Sequence, residues 1–305
     1  MQQELFAIPQ LSALAELRGN PLVLYAAAIA DDVVPVLYEC LSKQGPVERM
    51  DLVLVTSGGT ITSIRRIAHV LREYAHSLNI LVPYRAWSSG TLLCLGADEL
   101  ILGPLAELSP IDAQSNSADF SAASGPGSIS SEEVRTFSQM AEAWFGVTRE
   151  EDRLQVLALM AQRFFPTSLS AIYRSDRLVR RVANELLMYQ LPDAEAHVRE
   201  QIVEQLISGY DAHDYPITRA EARALGLRVK YATLEEERLL WGVWQACDAL
   251  ITGAANDPER NVLGLIAGAG FSARLLRQGN FPLSPSPDEA ALQLAAMTIG
   301  WEIAV

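Results

Sequence analysis

Over the first hundred residues, short uninterrupted apolar runs alternate with stretches whose apolar residues recur every three or four positions. Leu22 to Ala26, Asp51 to Val55, Ile80 to Pro83 and Glu99 to Leu102 are runs of the first kind. They predict strands buried on both faces. Between them, Asp31 to Cys40 has a helical period, with Pro35 in its first turn and Gly45-Pro46 after its end. Ile64, Ile67, Ala68, Leu71 and Tyr74 share one helical face, and a further helix starts near Ser89. Strands that alternate with helices predict crossover units and a mainly parallel sheet.

The pattern then changes. Residues 115–131 are rich in Ser, Ala and Gly and read as a loop. From Ser130 nearly everything has a helical period. Ser130-Ser131-Glu132-Glu133 has the form of a capping box. Helices are expected over Glu132–Phe145, Glu150–Phe164, Ser175–Met188 and Asp193–Ser208. Tyr215 to Ile217 reads as extended, Arg219 to Leu225 as a short helix stopped by Gly226, and Leu227 to Tyr231 as a strand. Helix resumes after Thr233, where Glu236 completes a second capping box, and runs to about Ala254. Pro282 to Pro287 breaks the chain before a last helix from Asp288. No internal repeat is visible.

Composition removes several function classes. With 305 residues and half of them hydrophobic, the chain can bury its own core without a metal or disulfide staple. A net charge of −13 argues against nucleic acid or an anionic membrane as the main partner. No apolar run reaches the ~18 residues of a membrane helix, and no leader pattern opens the sequence. The three cysteines, Cys40, Cys94 and Cys247, are too widely spaced for a metal site and read as small core residues in a reducing compartment. The protein therefore reads as cytoplasmic, with no metal and no cofactor.

Two turns have chemical potential. Ser57-Gly58-Gly59 follows a buried strand and precedes a helix. Paired glycines there leave backbone N–H groups free to face an anion or oxyanion, although such turns are also common as plain connectors. Ala86-Trp87-Ser88-Ser89-Gly90 has the same strand-to-helix setting. Small residues around a serine suit an exposed nucleophile, and they equally suit a helix cap.

Taken together, the segments Asp51 to Gly59, Val82 to Thr91, Gly96-Ala97-Asp98 and Leu108 to Gln114 resemble the Clp-protease/crotonase superfamily, and most closely the serine dehydrogenase proteinase family. His213 to Leu227 is similar to the same family, and the pieces lie in the same order. The resemblance implies a Clp/crotonase-like α/β spiral of βαβ units over residues 1–232, with a helical insertion at about 130–208 and a helical extension over 233–305. It implies Ser88 as nucleophile, and an oxyanion hole from the Ser89 N–H and the Gly59 N–H, with Gly58 as the near alternative.

A serine hydroxyl needs a base. The chain has four histidines, His69, His76, His197 and His213, and two lysines, Lys43 and Lys230. His69 and His76 lie seven apart and are expected on the helix after the glycine turn, and His197 lies in a charged helical stretch. A Clp-type histidine would fall in Ser109-Pro110-Ile111-Asp112, which has none. That leaves His213 as the candidate base, with Asp214 in the acid position that the resemblance implies. Adjacent residues usually point apart, which counts against a linear Ser88–His213–Asp214 triad; Asp112 is a further candidate carboxylate. Two departures from the family stand out: Trp87 before the serine, and Phe164-Phe165-Pro166 where relatives carry a histidine.

The expected function is a serine hydrolase, a peptidase acting on a peptide or protein, that forms a homo-oligomer. A non-catalytic scaffold or peptide-binding module of the same fold is the alternative. Crotonase-type acyl-CoA chemistry fits less well, since it uses no serine nucleophile.

Overall fold

A computed structural model describes residues 5–115, 129–163, 166–252, 260–278 and 298–304. The strands are β1 (Leu22–Ala26), β2 (Val47–Val55), β3 (Ala75–Val82), β4 (Arg85–Ala86), β5 (Glu99–Leu102), β6 (Glu107–Leu108), β7 (Gln114–Ser115), β8 (Ile129–Ser130), β9 (Ile217–Thr218), β10 (Val229–Tyr231), β11 (Arg260–Gly268), β12 (Phe271–Gln278) and β13 (Thr298–Ala304). The helices are α1 (Pro9–Arg18), α2 (Val33–Gln44), α3 (Ile61–Tyr74), α4 (Ser89–Cys94), α5 (Ser131–Phe145), α6 (Glu150–Arg163), α7 (Pro166–Gln190), α8 (Ala196–Ser208), α9 (Arg219–Ala224) and α10 (Leu234–Thr252).

Eight strands form one sheet in the order β10-β5-β3-β2-β1-β11-β12-β13. The first five run parallel and the last three antiparallel. This is the α/β architecture expected from the alternating runs. The strand side chains split between two cores by the period of two. Val23, Tyr25, Leu52, Leu54, Ile80 and Val82 face α2, α3, α7 and α8. Leu22, Leu24, Val53, Leu81 and Ile101 face α1 and α10. Both faces are thus covered, which explains why the strands read as unbroken apolar runs.

One buried charge pins this sheet. Asp51 is fully buried at the start of the β2 core, where it meets the Arg18 guanidinium and accepts from the Asn79 amide at 2.8 Å. The three cysteines are buried and free. Desolvation pushes the Cys40 and Cys247 thiols up to about 12, and Cys94 higher still, so none is a thiolate at neutral pH.

The helical extension expected over 233–305 needs correction. Only its first part, α10, is helical; 260–268, 271–278 and 298–304 are strands. β11 and β12 form a hairpin closed by a two-residue turn in which Gly270 has φ +65°. Arg274 and Glu302 pair across β12 and β13 at 2.8 Å. The driving force is the open edge of β1, whose backbone pairs with β11. The proline-rich break and most of the last expected helix, residues 282–297, lie outside the described residues, as do Phe164-Phe165.

In the helical insertion, α5 begins with the expected capping box: Ser130 Oγ accepts from the Glu133 N–H at 3.0 Å and the Glu133 carboxylate accepts from the Ser130 N–H at 2.7 Å. α7 begins nine residues earlier than the apolar period suggests, at 166 rather than 175, and ends at 190 rather than 188.

Candidate active site

The two turns read from the sequence meet beyond the carboxyl ends of β2 and β4, where open α/β sheets place their sites. Thr56, after β2, and Ala86, in β4, form a parallel bridge: the Thr56 N–H donates to the Arg85 carbonyl at 3.0 Å and the Trp87 N–H donates to the Thr56 carbonyl at 3.1 Å. This bridge lays the glycine turn against the serine turn.

The glycine turn is held from the other side by the loop after β1. The Ile29 N–H donates to the Gly58 carbonyl at 2.8 Å and the Thr60 N–H donates to the Ile29 carbonyl at 2.9 Å. Gly58 has φ +105° and Gly59 φ +152°. A Cβ on Gly59 would stand 2.0 Å from the Ile29 carbonyl oxygen, and one on Gly58 2.9 Å from that of Trp87. Both positions therefore demand glycine, for space as well as for torsion. Gly59→Ala is expected to lose on the order of 4 kcal/mol of stability in urea denaturation, since backbone must move to admit the methyl. A loss below ~1 kcal/mol would mean that this turn is not locked as described.

Ser88 is the distinctive residue of the second turn. Among the described residues it alone is a non-glycine with positive φ, at φ +52° and ψ −115°. Several bonds hold it there. Its N–H donates to Ser109 Oγ at 2.7 Å, and its carbonyl accepts from the Leu92 N–H at 3.0 Å as α4 begins. Ser109 is itself fixed, because its N–H donates to Thr91 Oγ1 at 2.8 Å while Thr91 donates to the Ala86 carbonyl at 2.8 Å. Ser89 Oγ donates to the Gly59 carbonyl at 2.7 Å and so ties the two turns directly. Gly90 lets Thr56 approach, as a Cβ there would lie 2.5 Å from the Thr56 methyl. Ser88 is partly exposed, and its Oγ bonds to none of the described side chains. The Trp87 indole lies under the Arg85 guanidinium, 4.3 Å from its ring centre, and Arg85 pairs with Glu107 at 3.2 Å.

His213 lies in the segment after α8, and its carboxylate partner is Asp112, not Asp214. His213 Nδ1 lies 2.6 Å from Asp112 Oδ1. Asp112 is buried and the imidazole partly exposed, whereas Asp214 is exposed and pairs with none of the described residues. A carboxylate only accepts, so Nδ1 carries a proton, and in the neutral tautomer Nε2 is the acceptor. The Ile111 N–H donates to the Leu206 carbonyl of α8 at 3.0 Å, which holds Asp112 beside the segment that carries His213.

Ser88 and His213 are thus not hydrogen-bonded to each other, but one short segment serves both. Ser109 holds the Ser88 amide and Asp112 holds the His213 ring. Three residues of chain span at most ~11 Å, which bounds how far apart the two anchors lie. The other three histidines and the two lysines bond to neither Ser88 nor His213 among the described residues. His69 pairs with Glu185 at 3.0 Å and His197 with Glu195 at 3.1 Å. Lys43 donates to the Gly270 carbonyl at 2.7 Å and Lys230 pairs with Glu99 at 3.4 Å, so no Ser–Lys dyad forms. His76 is exposed on β3. Among the described residues no group of three potential metal ligands gathers, and no helix is long and apolar enough to cross a membrane. Ser109 carried no signal of its own in the sequence; a polar residue before Pro110 reads as a turn.

The large sheet covered by helices on both faces is a mixed α/β architecture, consistent with a ClpP-like α/β fold. The family described as ClpP-like SDH-type serine proteinase matches residues 29–132, in agreement with the resemblance drawn from the motifs. That stretch contains both turns, Ser88, Ser109 and Asp112, and stops short of His213. Two uncharacterized proteins of Methanocaldococcus jannaschii are each 28% identical to the chain, over 187 and 180 residues. The matches cover 61% and 59% of this chain and 55% and 51% of those relatives, so the chain aligns with about half the length of each.

Proposed function

We propose that the protein is a serine hydrolase that cleaves peptide bonds, with Ser88 as nucleophile, His213 as base, Asp112 as the carboxylate that orients the base, and the Gly59 and Ser89 amides as oxyanion donors. The observation that carries this reading is the backbone of Ser88. A non-glycine residue held in a glycine conformation at a strand-to-helix turn, with its hydroxyl free, is the arrangement of an exposed nucleophile.

In the proposed reaction Ser88 Oγ attacks the scissile carbonyl while His213 Nε2 takes its proton. The tetrahedral oxygen gathers negative charge against the Gly59 and Ser89 N–H groups, each worth about 3 kcal/mol to the transition state. His213 then returns the proton to the leaving amine, and water repeats the sequence on the acyl-enzyme. Substrate binding has to bring the ring to the hydroxyl, as often happens between an empty site and its Michaelis complex. A homo-oligomer belongs to the same proposal. The exposed Leu154, Leu157 and Leu159 of α6 support it, as apolar surface suited to a second copy.

The lack of a hydrogen bond between Ser88 and His213 favours one other reading, a binding module without turnover. A fluorophosphonate probe separates the two. The probe is expected to add covalently to Ser88, located by peptide mass spectrometry. An unmodified Ser88 across pH 6–9, at probe levels that label other serine hydrolases, would remove the hydrolase reading.

A further inference from the structure

The imidazole of His213 opens onto a cavity of about 630 Å³ between α5 and the residues that follow α8. Its two sides are clamped together. Ser208, at the end of α8, donates to the Glu132 carboxylate at 3.0 Å and accepts from Arg135 at 2.6 Å, and Arg135 reaches on to Asp176. Asp112 and His213 line the cavity together with Phe137, Met140 and Trp144 of α5. Phe137 and Trp144 are exposed, Trp144 to 75%. A tryptophan that bare beside a cavity is unusual on a protein surface and suits a ligand with an apolar stem.

The charge of the lining is one-sided. Among the described residues no lysine or arginine lines the cavity. Glu132 is compensated by Arg135, but two other carboxylates are not matched by a cation. Among the described residues Glu133 accepts only from the Ser130 N–H of its cap, and Asp211, which is exposed, has no hydrogen bond or ion pair. A lining that joins aromatic faces and a thioether with carboxylates that no described cation pairs fits a flexible alkyl chain that ends in a cation.

We infer that this cavity is the subsite for a long cationic side chain, lysine or arginine, of the peptide substrate. The inference rests on His213–Asp112 being the base pair of the proposed hydrolase, because that pair sets the cavity beside the scissile bond. It names the substrate class: peptides with a basic residue near the cleaved bond.

The test is equilibrium binding, which needs no turnover. Ser88→Ala protein is titrated by calorimetry with two peptides that differ only in a lysine or its uncharged isostere norleucine. The lysine peptide is expected to bind about tenfold more tightly. Asp211→Asn combined with Glu133→Gln should shrink that preference to under about threefold. Glutamine preserves the capping box, so α5 stays folded. Equal binding of the two peptides, a norleucine preference, or binding of neither overturns the subsite. Lysine-selective binding by a protein that the fluorophosphonate never labels would keep the subsite and remove the hydrolase.

Discussion

Ser88→Gly is expected to lose at least ~10⁴-fold in peptide turnover and yet melt at a higher temperature than the parent protein. The two effects have one source. The serine side chain is forced into φ +52°, ψ −115°, a region that costs a non-glycine residue about 1–3 kcal/mol. Glycine removes that strain and gives back roughly 0.5–1 kcal/mol through the greater freedom of the unfolded chain. A net gain of about 1 kcal/mol remains, or roughly 2 °C for a chain of this size. The loss of turnover follows because no other described hydroxyl stands at the turn with its oxygen free; Ser89 Oγ and Ser109 Oγ are both engaged. Calorimetry and steady-state hydrolysis of one peptide read both quantities. A variant that melts lower would show that the backbone is relaxed at Ser88, and one that still turns over would move the nucleophile elsewhere.

Asp112→Asn is expected to lower kcat by about 10³–10⁴-fold with the fold intact, whereas Asp214→Asn should change it by less than about threefold. The asparagine fills the same buried volume. It can still meet the His213 ring, but its amide can donate to Nδ1 and so favours the tautomer with the proton on Nε2, which cannot accept from Ser88. His213→Ala should cost a similar factor, and the double variant no more than the worse single one, because the two act as a unit. Circular dichroism confirms the fold in each case. If Asp214→Asn proves the more damaging, the acid belongs to position 214 and the 2.6 Å contact with Asp112 is structural.

The rank order of these effects reflects what could be read from residues alone. β1, β2, β3 and β5 were legible because strands buried on both faces are apolar without a break, and β1 and β5 fall at the expected limits. The two turns were legible because glycine beside a strand end marks a backbone that side chains cannot follow. The pairing of His213 was not. Asp112 lies 101 residues away in the chain, and only the packing of Ile111 against α8 brings it in. The adjacent Asp214 was the nearer choice in sequence, and it points to solvent. β11 and β12 were missed for a different reason. Asn261 to Gly268 is an apolar run broken by Gly264, and its hairpin signal is a single Ala269-Gly270 turn rather than an Asn-Gly. β13 follows residues outside the described set and gains its partners only once β12 is in place.

The tie between Ser88 and Ser109 sets a limit on how this chain can drift in length. Insertions in surface loops elsewhere cost little, because loop closure grows only slowly with added residues. Between Ser109 and Asp112 there is no such slack. Each inserted residue would shift one anchor by ~3.5 Å relative to the other, more than a hydrogen bond can stretch. The four residues from 109 to 112 therefore behave as a ruler with the nucleophile's amide at one mark and the imidazole's carboxylate at the other.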